Sequence, residues 1–309
     1  MTRLDDELAA VVDDLQEAGV PDWHELSVAS ARRVEDDVFS ADDPRKVAFV
    51  RDLAFDGPGG DVPVRVYHDD PGADAPVVVF YHGGGWTLGT LDSIGGVCRE
   101  LAARADCVVV SVDYRLAPEH PFPAAHEDAY AALEWTVRNA AAFGGDPDRV
   151  AVAGTSAGGN LAASVALRAR EDDGPAVAHQ ALLYPMTDRD TTRDSYAEHG
   201  DGPLLTAADV EWFWDQYCPS PVDAANPYAS VLPASHHGDL PPATVVTAGH
   251  DPLRDEGVAY ADALEADGTP VEHRHYPSMA HGFLSLTDRV AVADDAMDAL
   301  ASRLRDAFD

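Results

Sequence analysis

Residues 150–170 read VAVAGTSAGGNLAASVALRAR. Val150–Gly154 is a short apolar run with valine at alternate positions, which predicts a buried strand. Ala157–Arg170, rich in Ala and Leu, predicts the helix that follows. Between them Gly154-Thr155-Ser156-Ala157-Gly158 is a G-x-S-x-G pentapeptide. At a strand-turn-helix corner the serine is forced into a strained turn, the glycines avoid side-chain clashes, and Oγ projects above the sheet. The helix N-terminus adds a positive partial charge where an oxyanion would develop. A tight or phosphate-binding turn with a capping serine is the structural alternative. The flanking strand and helix favour Ser156 as a nucleophile.

Outward from this corner, strands and helices alternate. Upstream lie strand-like runs at Val47–Phe55, Val62–Tyr67, Val77–Tyr81 and Cys107–Tyr114, and a helix at Ala124–Ala142 that ends at Gly144-Gly145. Downstream come a strand at Ala181–Tyr184, strands Thr244–Gly249 and Val271–Tyr276 around the helix Leu253–Ala266, and a closing amphipathic helix Asp288–Phe308. Continuous apolar strands between amphipathic helices imply the α/β class, with a mostly parallel sheet covered on both faces.

Two segments depart from the alternation. The first forty residues read as helices: Asp5–Glu17, with Leu8, Val11, Val12 and Leu15 on one face, then a shorter Glu25–Val34. Thr187–Pro233 has no strand pattern and carries Trp212, Phe213, Trp214 and Tyr217. An excursion of this length between sheet strands is usually functional. The chain is therefore expected to be one domain, 1–309, with a cap formed by about 1–45 and about 187–233. Simple packing is at least as good a reading for any single aromatic there.

A serine hydroxyl needs a base, and the base needs an orienting acid. In strand-helix hydrolases the chain order is Ser, then Asp or Glu, then His. Asp251 sits just past the strand Thr244–Gly249 and is the expected acid, with Asp255 in reserve. His281 follows the next strand and is the expected base. His273 and His275 alternate within that strand and are expected to face solvent, while His236-His237 lies in a polar loop. Tyr81-His82-Gly83-Gly84-Gly85-Trp86 follows a buried strand, and its three glycines leave backbone N–H groups unobstructed. Gly83, Gly84 and Gly85, with the N–H of Ala157, are the expected oxyanion donors. His82 is expected to anchor that loop through its ring. Arg115 and Glu119 are expected to hold the following loop through buried ion pairs.

Together, His82–Trp86, Tyr114–Ala125 (YRLAPEHPFPAA), Gly154–Gly159, Asp251–Glu256 and His281-Gly282-Phe283 resemble the hormone-sensitive-lipase family of α/β-hydrolase carboxylesterases. The resemblance spans nearly the whole chain, including helical N-terminal residues similar to that family's cap. It implies a carboxylic ester hydrolase working through Ser156, Asp251 and His281. Thr155 departs from the acidic residue often found before the nucleophile, which leaves the subgroup open. An amidase, lactonase or acyltransferase would share this machinery. So would a non-catalytic binding protein that had lost the histidine, but here His281 is present.

Composition narrows the partners. The chain has 309 residues, 21 Lys+Arg and 55 Asp+Glu, a net charge of −34. Its 46% hydrophobic content supports a large core rather than a disordered acidic chain. The negative field argues against nucleic acid and anionic membranes, which leaves a small ester as the expected partner, with a homodimer open. Lys46 is the only lysine and Asp greatly outnumbers Glu, a surface suited to molar salt. Three cysteines without CxxC spacing argue against a disulfide frame or zinc knuckle, so no metal or cofactor is expected. No apolar run reaches a membrane span, and Met1–Val12 lacks a basic region followed by an apolar one. A cytoplasmic protein is the expectation.

Overall fold

The computed structural model describes residues 2–40, 44–72 and 74–309. In chain order the helices are α1 (Asp6–Glu17), α2 (Val28–Phe39), α3 (Gly95–Arg104), α4 (Ala124–Asn139), α5 (Ala157–Glu171), α6 (Asp194–His199), α7 (Ala207–Tyr217), α8 (Pro221–Ala224), α9 (Arg254–Ala266) and α10 (Ala291–Phe308). The strands are β1 (Phe49–Gly57), β2 (Gly60–His68), β3 (Ala75–Tyr81), β4 (Val108–Val112), β5 (Gly145–Thr155), β6 (His179–Leu183), β7 (Ala243–His250) and β8 (Val271–Ala280). They form one sheet in the order β1-β2-β4-β3-β5-β6-β7-β8. β1/β2 and β2/β4 pair antiparallel, and every later pair is parallel.

β3 shows how the core is divided. Val77, Val79 and Tyr81 enter one buried cluster while Val78 and Phe80 enter the other. This is the two-residue alternation of a strand with both faces covered. Residues of α4, α5 and α9 pack on the first face. The second face receives α3, α10 and, from α1, Leu8 and Val11. α10 buries Ala293, Met297, Leu300, Ala301 and Leu304, the spacing of one helical stripe.

Most expected elements lie where the pattern puts them, with ends displaced by a few residues. The second helix differs most. It runs Val28–Phe39 rather than Glu25–Val34, because Ser27 caps it by accepting the Ser30 N–H at 3.2 Å. Trp23–Glu25 forms a separate 3₁₀ turn. The sequence reading marks no helix between Tyr81 and Cys107, where the structure has α3. A parallel β3/β4 pair needs a crossover there, but α3 opens on Gly95-Gly96 with no side-chain cap, so its local signal is weak.

The non-strand segments are tied to each other and to the sheet. His24 donates its backbone N–H and brings Nδ1 to Asp209 Oδ1 at 2.9 and 2.8 Å, and Asp209 also closes a capping box with Thr206. Glu256, buried and pushed up to about 8 by that burial, accepts the Thr187 N–H at 2.6 Å and the Tyr196 hydroxyl at 3.0 Å.

Arg115 and Glu119 do hold their loop, but not alike. Arg115 pairs with fully buried Asp128, whose oxygens accept the Arg115 backbone N–H, Nε and Nη2 at 3.0, 2.8 and 2.9 Å. Glu119 pairs with Arg32 at 2.6 Å on the surface, so the expected burial fails there. Removing Asp128 takes three hydrogen bonds from Arg115, whose side chain is 24% exposed and keeps Glu127 at 3.6 Å. Asp128→Ala should therefore cost about 1–3 kcal/mol in urea unfolding, whereas Glu119→Ala should cost less than about 1 kcal/mol.

Candidate active site

Ser156 lies at the end of β5 and caps α5 with φ 55 and ψ −119. This positive φ is costly for a residue with a Cβ. The corner persists because the strand below and the helix above leave no other path. A Cβ on Gly158 would stand 2.0 Å from the Tyr81 carbonyl oxygen, and one on Gly154 would stand 2.2 Å from the Gly158 oxygen. The Ser156 N–H donates to Leu183 O at 2.8 Å, and its carbonyl accepts from Asn160 and Met186. The backbone is thus pinned on both sides without use of the side chain.

The structure brings together three residues expected from sequence. Ser156 Oγ lies 2.9 Å from His281 Nε2, and His281 Nδ1 lies 2.8 Å from Asp251 Oδ2. A carboxylate only accepts, so Nδ1 carries the hydrogen and Nε2 turns its lone pair toward the serine. Asp251 is fully buried, and its second oxygen accepts the Leu253 N–H at 2.9 Å. Tyr184 packs its ring edge-on against His281, with centroids 4.9 Å apart. Asp255 is elsewhere. It accepts the Ser195 N–H at 2.8 Å and pairs with Arg254 at 2.7 Å. Burial alone would raise its carboxyl, but Arg254 and Ser195 outweigh that and hold it low.

The glycine loop lies directly against the serine. A Cβ on Gly83 would stand 3.4 Å from Ser156 Cβ. Gly84 and Gly85 have φ of 99 and 57, conformations that favour residues without a Cβ. Their carbonyls turn inward: Gly84 O accepts from Thr87 and Leu88, and Gly85 O accepts the Thr87 hydroxyl. Among the described residues, the N–H groups of Gly83, Gly84, Gly85 and Ala157 donate to no protein acceptor. His82 does anchor the loop. Its Nδ1 lies 2.7 Å from Gly83 O, its ring stacks on Tyr114, and burial lowers its pKa to about 4.

Above Ser156 is a cavity of about 710 Å³, solvent mouth included, lined by Gly83–Gly85, His281, Tyr184 and mostly apolar side chains. Trp23, Glu35 and Phe39 reach it from the N-terminal segment, and Leu204, Leu205 and Phe213 from the excursion between β6 and β7. Trp212, Trp214 and Tyr217 do not line it; Trp214 and Tyr217 pack against Trp86 instead. The other histidines lie apart. His273 and His275 are exposed and share the Thr247 hydroxyl, while His237 is buried and bonded to Val231 O, unlike exposed His236. Sequence reasoning missed Glu35, which falls one residue beyond the expected helix end, and Tyr184, which was read only as the end of a strand.

With its parallel sheet and a Ser–His–Asp array at the strands' carboxyl ends, the chain belongs to the α/β-hydrolase fold family, whose model matches residues 78–285. It is 48% identical over 262 residues to the carboxylic ester hydrolase LipN of Mycobacterium tuberculosis, covering 83% of this chain and 70% of the relative. It is 36% identical over 316 residues to an ethyl acetate hydrolase of Pseudomonas putida, covering 98% of both. Among solved structures, a hyperthermophilic esterase from Pyrobaculum calidifontis superposes with a TM-score of 0.93 at 38% identity, covering 99% of each chain.

The close approach at the elbow has a measurable consequence. Gly158→Ala presses a methyl into two backbone carbonyls and should cost more than about 3 kcal/mol by thermal or urea unfolding. Gly268→Ala, at φ 88 but in open space, bears only the left-handed strain and should cost about 1 kcal/mol.

Proposed function

We propose that Ser156, Asp251 and His281 carry out ester hydrolysis in this chain, a carboxylic ester hydrolase, through an acyl-enzyme. The hydrogen-bonded run from Asp251 through His281 to Ser156, at 2.8 and 2.9 Å, carries this reading. His281 Nε2 takes the hydroxyl proton as Oγ attacks the ester carbonyl. Asp251 supports the imidazolium that results. The carbonyl oxygen, now negative, meets N–H groups of the Gly83–Gly85 loop and of Ala157, which have no other acceptor to release. Collapse of the tetrahedral intermediate expels the alcohol, which takes its proton from His281. Water then attacks the acyl-Ser156 ester with His281 again as base, and the acid leaves.

The cap reading rests on the cavity. Residues from both 1–45 and 187–233 line it, which supports these two segments as the cap of a single 1–309 domain; Met1 and residues 41–43 lie outside the described residues. A mostly apolar cavity with about 100 Å³ of enclosed space and an open mouth suits small to medium acyl esters. A cytoplasmic setting agrees with the three free, buried cysteines, and no described helix is long and apolar enough to cross a membrane.

A chain-length series of p-nitrophenyl esters tests the assignment. Ser156→Ala should lose at least about 10³-fold in kcat, leaving only what binding and the oxyanion donors supply. Asp251→Asn should lose about 10³- to 10⁴-fold with folding preserved, and Asp255→Asn less than about tenfold. The reverse ranking would transfer the acid to Asp255, and preference for anilides or lactones would redefine the substrate.

We further propose that the protein is adapted to high salt. Its −34 charge rests on one lysine and many short carboxylates. Repulsion among them reaches about 30 Å at 0.01 M salt and about 3 Å at 1 M, and it opposes a stability of only about 5–15 kcal/mol. The unfolding midpoint followed by circular dichroism should rise from dilute buffer to molar KCl. A flat or falling midpoint would refute the adaptation and leave the hydrolase reading intact.

A further inference from the structure

A second cavity lies against the one above Ser156. It holds about 240 Å³ of enclosed space, where the first holds about 100 Å³, and it opens between α1, α2 and the turn before α7. Trp23, Phe39 and Leu204 line both cavities. Around each of them the chain passes from one side to the other. Pro203 lines only the second cavity and Leu205 only the first, while Asp22 and Val38 line only the second and Glu35 only the first. These apolar side chains are therefore a partition a single side chain thick.

Both non-strand segments build this partition. Trp23 precedes His24, which is tied to Asp209 in the first turn of α7 at 2.9 and 2.8 Å. Phe39 ends α2. Leu204 stands at φ 71, in the left-handed region that is costly for a bulky residue and that glycine adopts freely. Such strain persists only where the surroundings over-determine it, and it clusters at ligand-binding sites. Behind the partition, Val12 and Leu15 of α1 and Val38 of α2 supply apolar lining. Of the carboxylates there, Asp209 is already bound to His24 and Thr206, and Asp22 and Asp201 are exposed to solvent.

We propose that Trp23, Phe39 and Leu204 set the length of ester chain this site accepts, by closing the Ser156 cavity against a second compartment that would take a longer unbranched chain. This rests on the ester-hydrolase reading above. A chain that reaches the partition must displace packed side chains or turn back toward water, and each methylene left in water forfeits about 0.8 kcal/mol of transfer energy. Removing one side chain of the partition joins the two spaces. The hydrocarbon could belong to the acyl or the alcohol part of the ester, so the two are measured separately.

The test measures kcat/KM for the full-length wild type, Leu204→Gly and Phe39→Ala, and follows each unfolding midpoint. One series compares p-nitrophenyl butyrate with p-nitrophenyl decanoate; the other compares butyl acetate with decyl acetate by acid release. Wild type should favour the short member of each pair. Leu204→Gly should raise the long-to-short ratio about tenfold or more in at least one series, because a methylene accommodated in an apolar pocket changes discrimination by about 10- to 200-fold. Phe39→Ala should move the ratio the same way, which keeps the proposal testable if one variant fails to fold. Adding Leu15→Trp to Leu204→Gly refills the second cavity from its far side and should cancel the gain. Ratios unchanged in both series would overturn the proposal, as would a wild type that already prefers the long esters. A gain that survives Leu15→Trp would overturn it too, because the chain would then lie elsewhere. Failure of the underlying reading looks different: wild-type turnover of every ester would not exceed that of Ser156→Ala.

Discussion

The rest of the structure depends on how closely α5 approaches the end of β3. Gly158 lies where any side chain would strike the Tyr81 and His82 carbonyls, and Gly154 lies where one would strike Gly158. This contact fixes the angle between strand and helix, and that angle forces Ser156 to φ 55. The strain is local and costs about 1–3 kcal/mol. It is sustained by a core that buries Val77, Val79, Val150, Val152 and Leu161 almost completely around the corner. The same approach presses the glycine loop against the serine, so one packing constraint places both the hydroxyl and the backbone donors.

The parallel sheet does the rest of the assembly. Ser156, Asp251 and His281 follow the carboxyl ends of β5, β7 and β8, and these ends share one edge because the strands run the same way. Open α/β sheets collect ligands at that edge for this reason. What encloses the edge is different in kind. The N-terminal segment and the β6–β7 excursion contribute helices held to one another by the His24–Asp209 bonds, and to the body by Glu256 and by Trp86 stacked on Tyr217 with centroids 4.1 Å apart. α2 both lines the cavity, through Phe39, and bonds the stretch that follows the three glycines, through Arg32 to Thr87 O and Asp36 to the Thr90 hydroxyl.

Charge is distributed with the same division. Fully buried Asp128 is engaged by Arg115. Half-buried arginines gather several surface carboxylates: Arg104 pairs with Glu100, Asp294 and Asp298, and Arg65 with Asp52 and Asp92. With 21 cations against 55 carboxylates, 34 carboxylates have no cation to pair with one to one.

Much of this was legible in the sequence. Hydrophobic period distinguished strands from helices because burial on two faces leaves continuous apolar runs, and chain order after the nucleophile singled out Asp251 and His281 because each follows a strand's carboxyl end. Where local signals were weak the reading stopped short. α3 begins on two glycines without a cap, and α2 runs five residues past Val34 because the cavity and residues 87–93 supply partners that only the fold brings near. The sequence by itself singled out Ser156, Asp251 and His281, which the fold brings into one hydrogen-bonded run, because each stands just past the end of a recognisable strand. Only the tertiary structure decided what surrounds them: that Asp255 serves Arg254 and Ser195, that Arg115 finds Asp128, and that Glu35 lies buried beside the glycine loop. These pairings join residues whose nearness is set by the packing of whole elements, and no local pattern records it.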